Sequence, residues 1–146
     1  MSSNDVKVSI LRKSYDVYRW LYLHHMKMCS YILYKITFLM LGCTIPPSVR
    51  LDDGVNFGHP VGIVIHQNAI IGKNTLIYQN VTIGRKDLNS QTCPTIGENC
   101  IIGAGACLLG DISIGNNVTI GANAVVVTDV PDNSVAIGVP AQIRSK

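Results

Sequence analysis

Hydrophobic residues recur every six positions between residues 96 and 126 of this chain. Each six-residue unit opens on Ile, Leu or Val, and its fifth position is small or β-branched. The openers are Ile96, Ile102, Leu108, Ile114, Ile120 and Val126, and the fifth positions are Cys100, Ala106, Ile112, Val118, Ala124 and Val130. Neither an α-helix nor an ordinary strand has this period, whereas a parallel β-helix places one short repeat on each side of its coil. The pattern therefore predicts an all-β repeat fold.

The same period fills residues 45–83, with one interruption. The openers there are Ile45, Leu51 and Phe57, then Ile65, Ile71, Ile77 and Ile83. The step from Phe57 to Ile65 is eight residues, and an insertion in a solenoid projects as a loop or bulge, often on the binding face. In all, about 11 units make roughly four coils. Asparagines that tolerate positive φ are predicted to form the turns, namely Asn74, Asn80, Asn99, Asn117 and Asn123.

Residues 5–41 have helical periodicity instead and predict helix in two pieces. The residues that recur at spacings of three and four are Leu11, Tyr15, Tyr18, Tyr22, His25, Cys29, Ile32, Ile36 and Met40. Ser3 or Asn4 is the expected start and Gly42 the expected stop. The predicted organisation is an N-terminal helical segment, residues 1–43, followed by a β-helix domain, residues 44–146. Residues 84–95 abandon the repeat, so they are predicted to be an extruded loop and a functional candidate.

Charge separates the two parts of the chain. Residues 1–42 contain six basic and two acidic side chains, a net charge of +4, whereas residues 43–146 contain six basic and seven acidic, a net charge of −1. The second value argues against a nucleic-acid groove. The apolar stretch 28–43 is too short to span a bilayer of about 30 Å. Two interpretations stay open: a helix packed in an oligomer, or a basic, aromatic helix in peripheral contact with a membrane through residues 5–41.

The five cysteines do not form a CxxC pair or a metal-ligand spacing. This usage indicates free thiols in a reducing compartment, and it predicts a cytoplasmic location, at the inner face of the membrane under the second interpretation.

Three segments of the repeat domain closely resemble the hexapeptide-repeat acyltransferases, in the branch of the serine acetyltransferases and their polysaccharide-modifying relatives of the colanic-acid and capsule type. They are FGHPVGIVI at 57–65, NVTIG at 80–84, and IIGAGACLLGDI at 101–112, with AIGVPA at 136–141 closing the chain. The resemblance implies a left-handed β-helix, a homotrimer, acetyl-CoA as the acetyl donor, and no metal.

The resemblance also implies site residues. His59 matches the family's catalytic histidine, and an imidazole with a pKa near neutrality suits a general base. Contacts to acetyl-CoA are expected from Gly84, Gly103, Ala104, Thr119, Gly121, Ala122 and Arg144. Each glycine has an alternative explanation as a turn residue. His66 is a second candidate, at the acceptor site or simply at the surface.

Departures from the family pattern bear on the acceptor. Thr44 and Gly58 stand where serine acetyltransferases have aspartates, and Cys93 stands where they have a loop histidine. We therefore expect a sugar hydroxyl as acceptor, bound by Tyr78, Asn80, Cys93 and His66, with further polar groups from Gln79, Asn89, Ser90 and Gln91. Serine O-acetyltransferase and amino-sugar N-acetyltransferase are the alternatives. A carbonic-anhydrase-type metal site needs three histidines, and the repeat domain has two. A non-catalytic trimeric scaffold is the remaining alternative.

Overall fold

The computed structural model describes residues 9–87, 89 and 91–146. Its helices are α1, Ile10–Leu23, and α2, Lys27–Leu41. Its strands are β1 Arg50–Leu51, β2 Asn56–Phe57, β3 Val64–Ile65, β4 Ile70–Ile71, β5 Leu76–Ile77, β6 Thr82–Gly84, β7 Thr95–Ile96, β8 Ile101–Ile102, β9 Cys107–Leu109, β10 Ser113–Ile114, β11 Thr119–Ile120, β12 Val125–Val126, β13 Ser134–Ile137 and β14 Gln142–Ser145.

Successive strands rotate through three sheets, so the chain winds as a three-sided parallel coil. The sheets have the orders β1-β4-β7-β10, β14-β13-β11-β8-β5-β2 and β12-β9-β6-β3. Equivalent positions of successive coils pair directly, as Ile77 with Ile102 and Ile102 with Ile120. This register places each repeat position above the same position of the previous coil.

The six-residue pattern correctly predicts the core. Every opener and every fifth position identified above between residues 96 and 130 is buried, as are the openers from Ile45 to Ile83. Aliphatic side chains of successive coils therefore stack along the axis of the prism, and the hydrophobic effect holds the coils together.

The predicted asparagine turns are also confirmed. Asn74, Asn80, Asn99, Asn117 and Asn123 all have φ between 56° and 58°. Asparagine tolerates this left-handed conformation better than other residues with a side chain. Two of them also bond across coils: the amide of Asn74 donates to Asn99 Oδ1 at 3.3 Å.

Helix α1 is fastened to the first coil by two buried tyrosines. The Tyr15 hydroxyl donates to the Val49 carbonyl at 2.6 Å, and the Tyr18 hydroxyl donates to the Ile45 carbonyl at 2.7 Å. Ser9 caps the helix by accepting from the Arg12 amide at 3.2 Å. The predicted caps Ser3 and Asn4, and residues 5–8 of the predicted helix, lie outside the described residues.

The helix forms in two pieces as predicted, but the residues that recur at spacings of three and four do not form one buried face in α2. The chain turns at His25, where φ is 63°, and this break changes which face of the second helix meets the first. Ser30 and Thr37 are buried there instead, whereas Ile32, Ile36 and Met40 are exposed. The Ser30 hydroxyl donates to the Tyr18 carbonyl at 2.7 Å, which satisfies a polar group inside the helix pair. Gly42 ends α2 in the left-handed conformation, as predicted.

The last sheet ends with a hairpin-like return. After Pro131, β13 continues the ladder beside β11, and β14 then pairs antiparallel with β13. The register places Thr119 opposite Val135, and Val135 opposite Arg144.

Candidate active site

His59 lies on the turn between β2 and β3, where the two-residue insertion interrupts the repeat. Its side chain is exposed, and its carbonyl accepts from the Val61 amide at 2.8 Å. Within the described chain the imidazole makes no hydrogen bond. The insertion thus removes this histidine from the regular wall of the prism and leaves it accessible to a ligand.

Successive coils stack further predicted residues at the same corner. The Gly58 amide donates to the Ile77 carbonyl at 2.9 Å, and the Tyr78 amide donates to the Ile102 carbonyl at 3.0 Å. Gly103 and Gly121 continue the ladder, donating at 2.8 Å to the carbonyls of Ile120 and Ala136. We call this column the His59 corner; it contains His59, Tyr78, Asn80, Gly103, Ala104, Gly121 and Ala122.

Tyr78 is the neighbour of His59 in this column. The two ring centroids are 6.2 Å apart, with the planes tilted by 41°. A Cβ atom added to Gly58 would lie 2.9 Å from two atoms of the Tyr78 ring. The tyrosine ring therefore occupies the space beside residue 58, and glycine is the residue that admits it.

His66, Gly84 and Cys93 lie at the next corner, apart from the His59 corner. They are near a groove, the His66 groove, which is lined in part by Thr44, His66, Thr82, Gly84, Arg85 and Gln91. Cys93 Sγ lies 2.9 Å from His66 Nδ1, and the Asn68 amide donates to the same nitrogen at 3.3 Å. The structure thus divides the predicted residues between two corners of the coil.

The Cys93–His66 contact joins a thiol and an imidazole. Burial raises the pKa of the Cys93 thiol, and the positive charge of Arg85 opposes that shift in part. His66 Nδ1 accepts from the Asn68 backbone amide, so the Cys93 thiol can donate to the same nitrogen. A buried thiol with a raised pKa is a poor nucleophile, so the contact holds the His66 ring and does not activate Cys93.

Cysteine reactivity should follow this arrangement. We expect iodoacetamide at neutral pH to label the exposed Cys29 first, and Cys93 much more slowly, because only the thiolate reacts and burial raises the thiol pKa. Labelling of Cys93 should accelerate as pH rises. Peptide mass spectrometry over time measures both rates. Equal labelling of Cys93 and Cys29 at neutral pH would show that Cys93 is a thiolate.

The predicted cofactor glycines differ in the space around them. A Cβ on Gly103 would lie 2.6 Å from the Ala122 amide nitrogen, and one on Gly121 would lie 2.7 Å from the Ile137 side chain. Coil stacking therefore already requires glycine at both positions. A Cβ on Gly84 meets no atom within 4 Å. Packing does not require this glycine, and the open space beside it can admit a ligand.

Several functional features escape sequence reasoning. Thr44 lines the His66 groove; its backbone pairs with Val64 and its amide donates to the Ile63 carbonyl. Thr82 and Arg85 line the same groove, and in the sequence only the start of the extruded loop points to them. Thr119 lies on β11, two residues before Gly121 of the His59 corner, and Arg144 lies on β14 of the same sheet. Of the loop residues proposed for the acceptor, Ser90 lies outside the described residues. Among the described residues, no group of three or more His, Cys, Asp or Glu side chains is arranged to hold a metal ion.

Comparison with known proteins places this geometry in context. Residues 93–128 match the model of the bacterial transferase hexapeptide (six repeats). The chain carries the hexapeptide repeat of bacterial transferases. The serine acetyltransferase of Synechococcus elongatus is 40% identical over 128 residues, which are 87% of this chain and 52% of that protein.

Solved structures agree with the sequence comparison. A serine acetyltransferase in complex with cysteine superposes with a TM-score of 0.87 at 34% identity, covering 92% of this chain and 56% of that one. A serine acetyltransferase in complex with CoA gives a TM-score of 0.83 at 33% identity, covering 92% and 55%. The repeat and these neighbours imply a left-handed β-helix. The chain spans about half the length of the curated relatives it matches.

These comparisons correct the predicted acceptor. The expectation of a sugar hydroxyl, and of a nearest kinship with polysaccharide-modifying enzymes, is wrong: the similar proteins are serine acetyltransferases. The inference had rested on Thr44, Gly58 and Cys93. The absence of the expected polar groups at these three positions does not exclude serine as the acceptor, because other polar groups, such as those of His66 and Arg85, line the neighbouring groove.

Proposed function

We propose that this chain is an acetyl-CoA-dependent serine O-acetyltransferase, with His59 as its general base. One observation carries the proposal. His59 is exposed, makes no hydrogen bond within the described residues, and lies in the same column as the small residues Gly103, Ala104, Gly121 and Ala122. The similarity to serine acetyltransferases supplies the reaction class. The chain spans about half the length of these relatives, so the whole protein's activity is what we propose.

The chemistry needs one proton to move twice. As the serine hydroxyl oxygen attacks the thioester carbonyl carbon, its proton passes to a ring nitrogen of His59. The tetrahedral intermediate then collapses, the carbon–sulfur bond breaks, and the imidazolium returns the proton to the departing thiolate. The His59 side chain is exposed and makes no hydrogen bond within the described chain, so the ring can accept and release this proton without first breaking such a bond.

The residues of the His59 corner suit a thioester on a long pantetheine arm. The amides of Gly103 and Gly121 donate within the ladder, but Ala104 and Ala122 beside them are small, so a ligand can approach this edge of the coil closely. Gly84 leaves open space at the other corner. Thr119 and Arg144 remain our candidates for the nucleotide end, because an arginine fork suits phosphate.

We also propose that the acceptor site combines the two corners. The His59 corner and the His66 groove occupy different edges of one prism, and in a homotrimer the edges of adjacent copies meet. His66, held by Cys93, would then present its Nε2 hydrogen, and Arg85 a positive charge, to the polar groups of serine. Tyr78 and Asn80 complete the His59 side. A cytoplasmic location and the division at residues 43 and 44 remain predictions.

Gly84 gives a direct test of the cosubstrate path. We expect Gly84→Ala to fold with unchanged stability, because its Cβ meets nothing, and to raise the KM for acetyl-CoA on the order of tenfold if the arm passes there. Steady-state kinetics and thermal unfolding measure the two effects.

The matched variant Gly103→Ala should behave differently. Its Cβ collides with the coil above, so it should cost about 1–3 kcal/mol of stability before any effect on binding. An unchanged KM in folded Gly84→Ala would remove Gly84 from the acetyl-CoA site.

The acceptor is tested by following free thiol release from acetyl-CoA with serine, simple sugars and amino sugars. Turnover with serine, and a product heavier by one acetyl group, is the expected result. Turnover with an amino sugar but not with serine would overturn the proposed acceptor while keeping the reaction class. The absence of turnover with every acceptor, in a protein shown to bind CoA, would contradict serine acetylation.

A further inference from the structure

Helix α2 presents an apolar face to solvent. Met28, Ile32, Ile36 and Leu39 recur at helical spacing and are 75%, 53%, 45% and 80% exposed. We call these four residues, with Lys35 among them, the outer face of α2. The opposite side, which packs against the protein, is where the two buried polar residues Ser30 and Thr37 lie.

An ordinary surface helix exposes polar residues, whereas α2 exposes apolar residues although Leu33, Tyr34 and Leu41 already pack against the core on its inner side. Large apolar side chains that are exposed and contiguous mark an interaction surface. The inner side of α2 is also held to α1, because the Ser30 hydroxyl donates to the Tyr18 carbonyl at 2.7 Å.

Charge identifies the kind of partner. The sequence of α2 contains Lys27 and Lys35 and has no acidic residue. The Lys35 ammonium lies 5.2 Å from the Tyr31 ring centroid and 5.5 Å from that of Tyr34, an aromatic setting in which a lysine can extend its charge from an apolar surface. On α1, Asp16 is paired with Arg12 at 2.9 Å. Two copies meeting through this face would therefore offer Lys35 no acidic residue of α2 as a partner.

A lipid surface with anionic headgroups matches both properties. It offers acyl chains for the apolar residues and negative charge for the lysines. No helix in the described part of the chain is long and apolar enough to cross a membrane. A 15-residue helix that exposes apolar side chains can instead lie in the plane of the interface.

We infer that the outer face of α2 docks the protein on an anionic lipid surface. The two lysines supply electrostatic attraction, and Met28, Ile32, Ile36 and Leu39 enter the boundary between headgroups and acyl chains. The catalytic proposal is independent of this docking, because neither the His59 corner nor the His66 groove includes a residue of the outer face.

Cosedimentation with vesicles tests the inference. The full chain should sediment with vesicles of phosphatidylcholine and phosphatidylglycerol, and much less with phosphatidylcholine alone. The double variant Lys27→Gln/Lys35→Gln should bind anionic vesicles about 25-fold more weakly, at about fivefold per lysine. The double variant Met28→Gln/Leu39→Gln should lose binding to the same vesicles, since its apolar contact is removed. Both pairs are exposed, so thermal unfolding should stay unchanged.

Val139→Gln is the matched control, because Val139 is 72% exposed but lies at the far end of the β-helix. It should bind vesicles like the unaltered chain. Two results overturn the inference: no difference between anionic and neutral vesicles, or equal binding by the Met28/Leu39 variant. A fall in oligomeric mass of that variant, with no vesicle binding by the parent, would also overturn it and assign the face to a protein contact.

Discussion

His59→Ala should lower kcat/KM for serine acetylation by between about 100-fold and about 10,000-fold, the range that a positioned general base contributes. The reason is local. An imidazole can act as a general base, and among the described residues that of His59 makes no hydrogen bond on which the fold depends. The KM for acetyl-CoA should change little, because the proposed contacts to the arm are small residues and backbone groups.

His24→Ala is the matched control for this variant. His24 is also exposed, at the end of α1, where its Nδ1 lies 2.8 Å from the Trp20 carbonyl. It should retain full activity. Initial rates with both variants, after unfolding curves show each to be as stable as the parent, give the comparison. A folded His59→Ala protein that acetylates serine at the parental rate would remove His59 from the mechanism.

Ile102→Ala should cost about 2–5 kcal/mol in the free energy of unfolding. Ile102 is fully buried on β8, between Ile77 and Ile120 of the adjacent coils. Truncation leaves a cavity on the axis of the prism, and the stacked coils cannot collapse into it without breaking the ladder on either side. Urea unfolding measures the loss.

The neighbouring residue supplies the control. Ile101 is on the same strand but points outward, 44% exposed, so Ile101→Ala should change stability by about 0.5 kcal/mol or less. Similar losses for the two variants would contradict the alternation of inward and outward side chains on which the fold depends.

Sequence alone predicts the β-helix well because its rules are local. Each opener must fill the axis of the prism, and each asparagine turn needs only its own backbone conformation, so the period is visible without knowledge of distant contacts. The unusual eight-residue step identified the His59 turn for the same reason: an insertion must leave the regular wall.

The sequence does not predict which face of α2 is buried, nor which distant residues contact each other. The turn at His25 changes the phase of α2, so Ser30 and Thr37 are buried while Ile32 and Ile36 are exposed. The His66–Cys93 contact joins residues 27 apart through the start and end of an extruded loop. The acceptor was inferred wrongly because three substituted positions were weighed without the groups that line the His66 groove.

A structure of the chain with CoA bound would show whether acetyl transfer takes place at the His59 corner. We expect the sulfur end to lie beside the His59 ring, and the pantetheine arm to follow Gly103-Ala104 and Gly121-Ala122 along the same corner. CoA bound with its sulfur away from His59, or along a side of the coil that excludes these small residues, would contradict the assignment of this corner as the site of acetyl transfer.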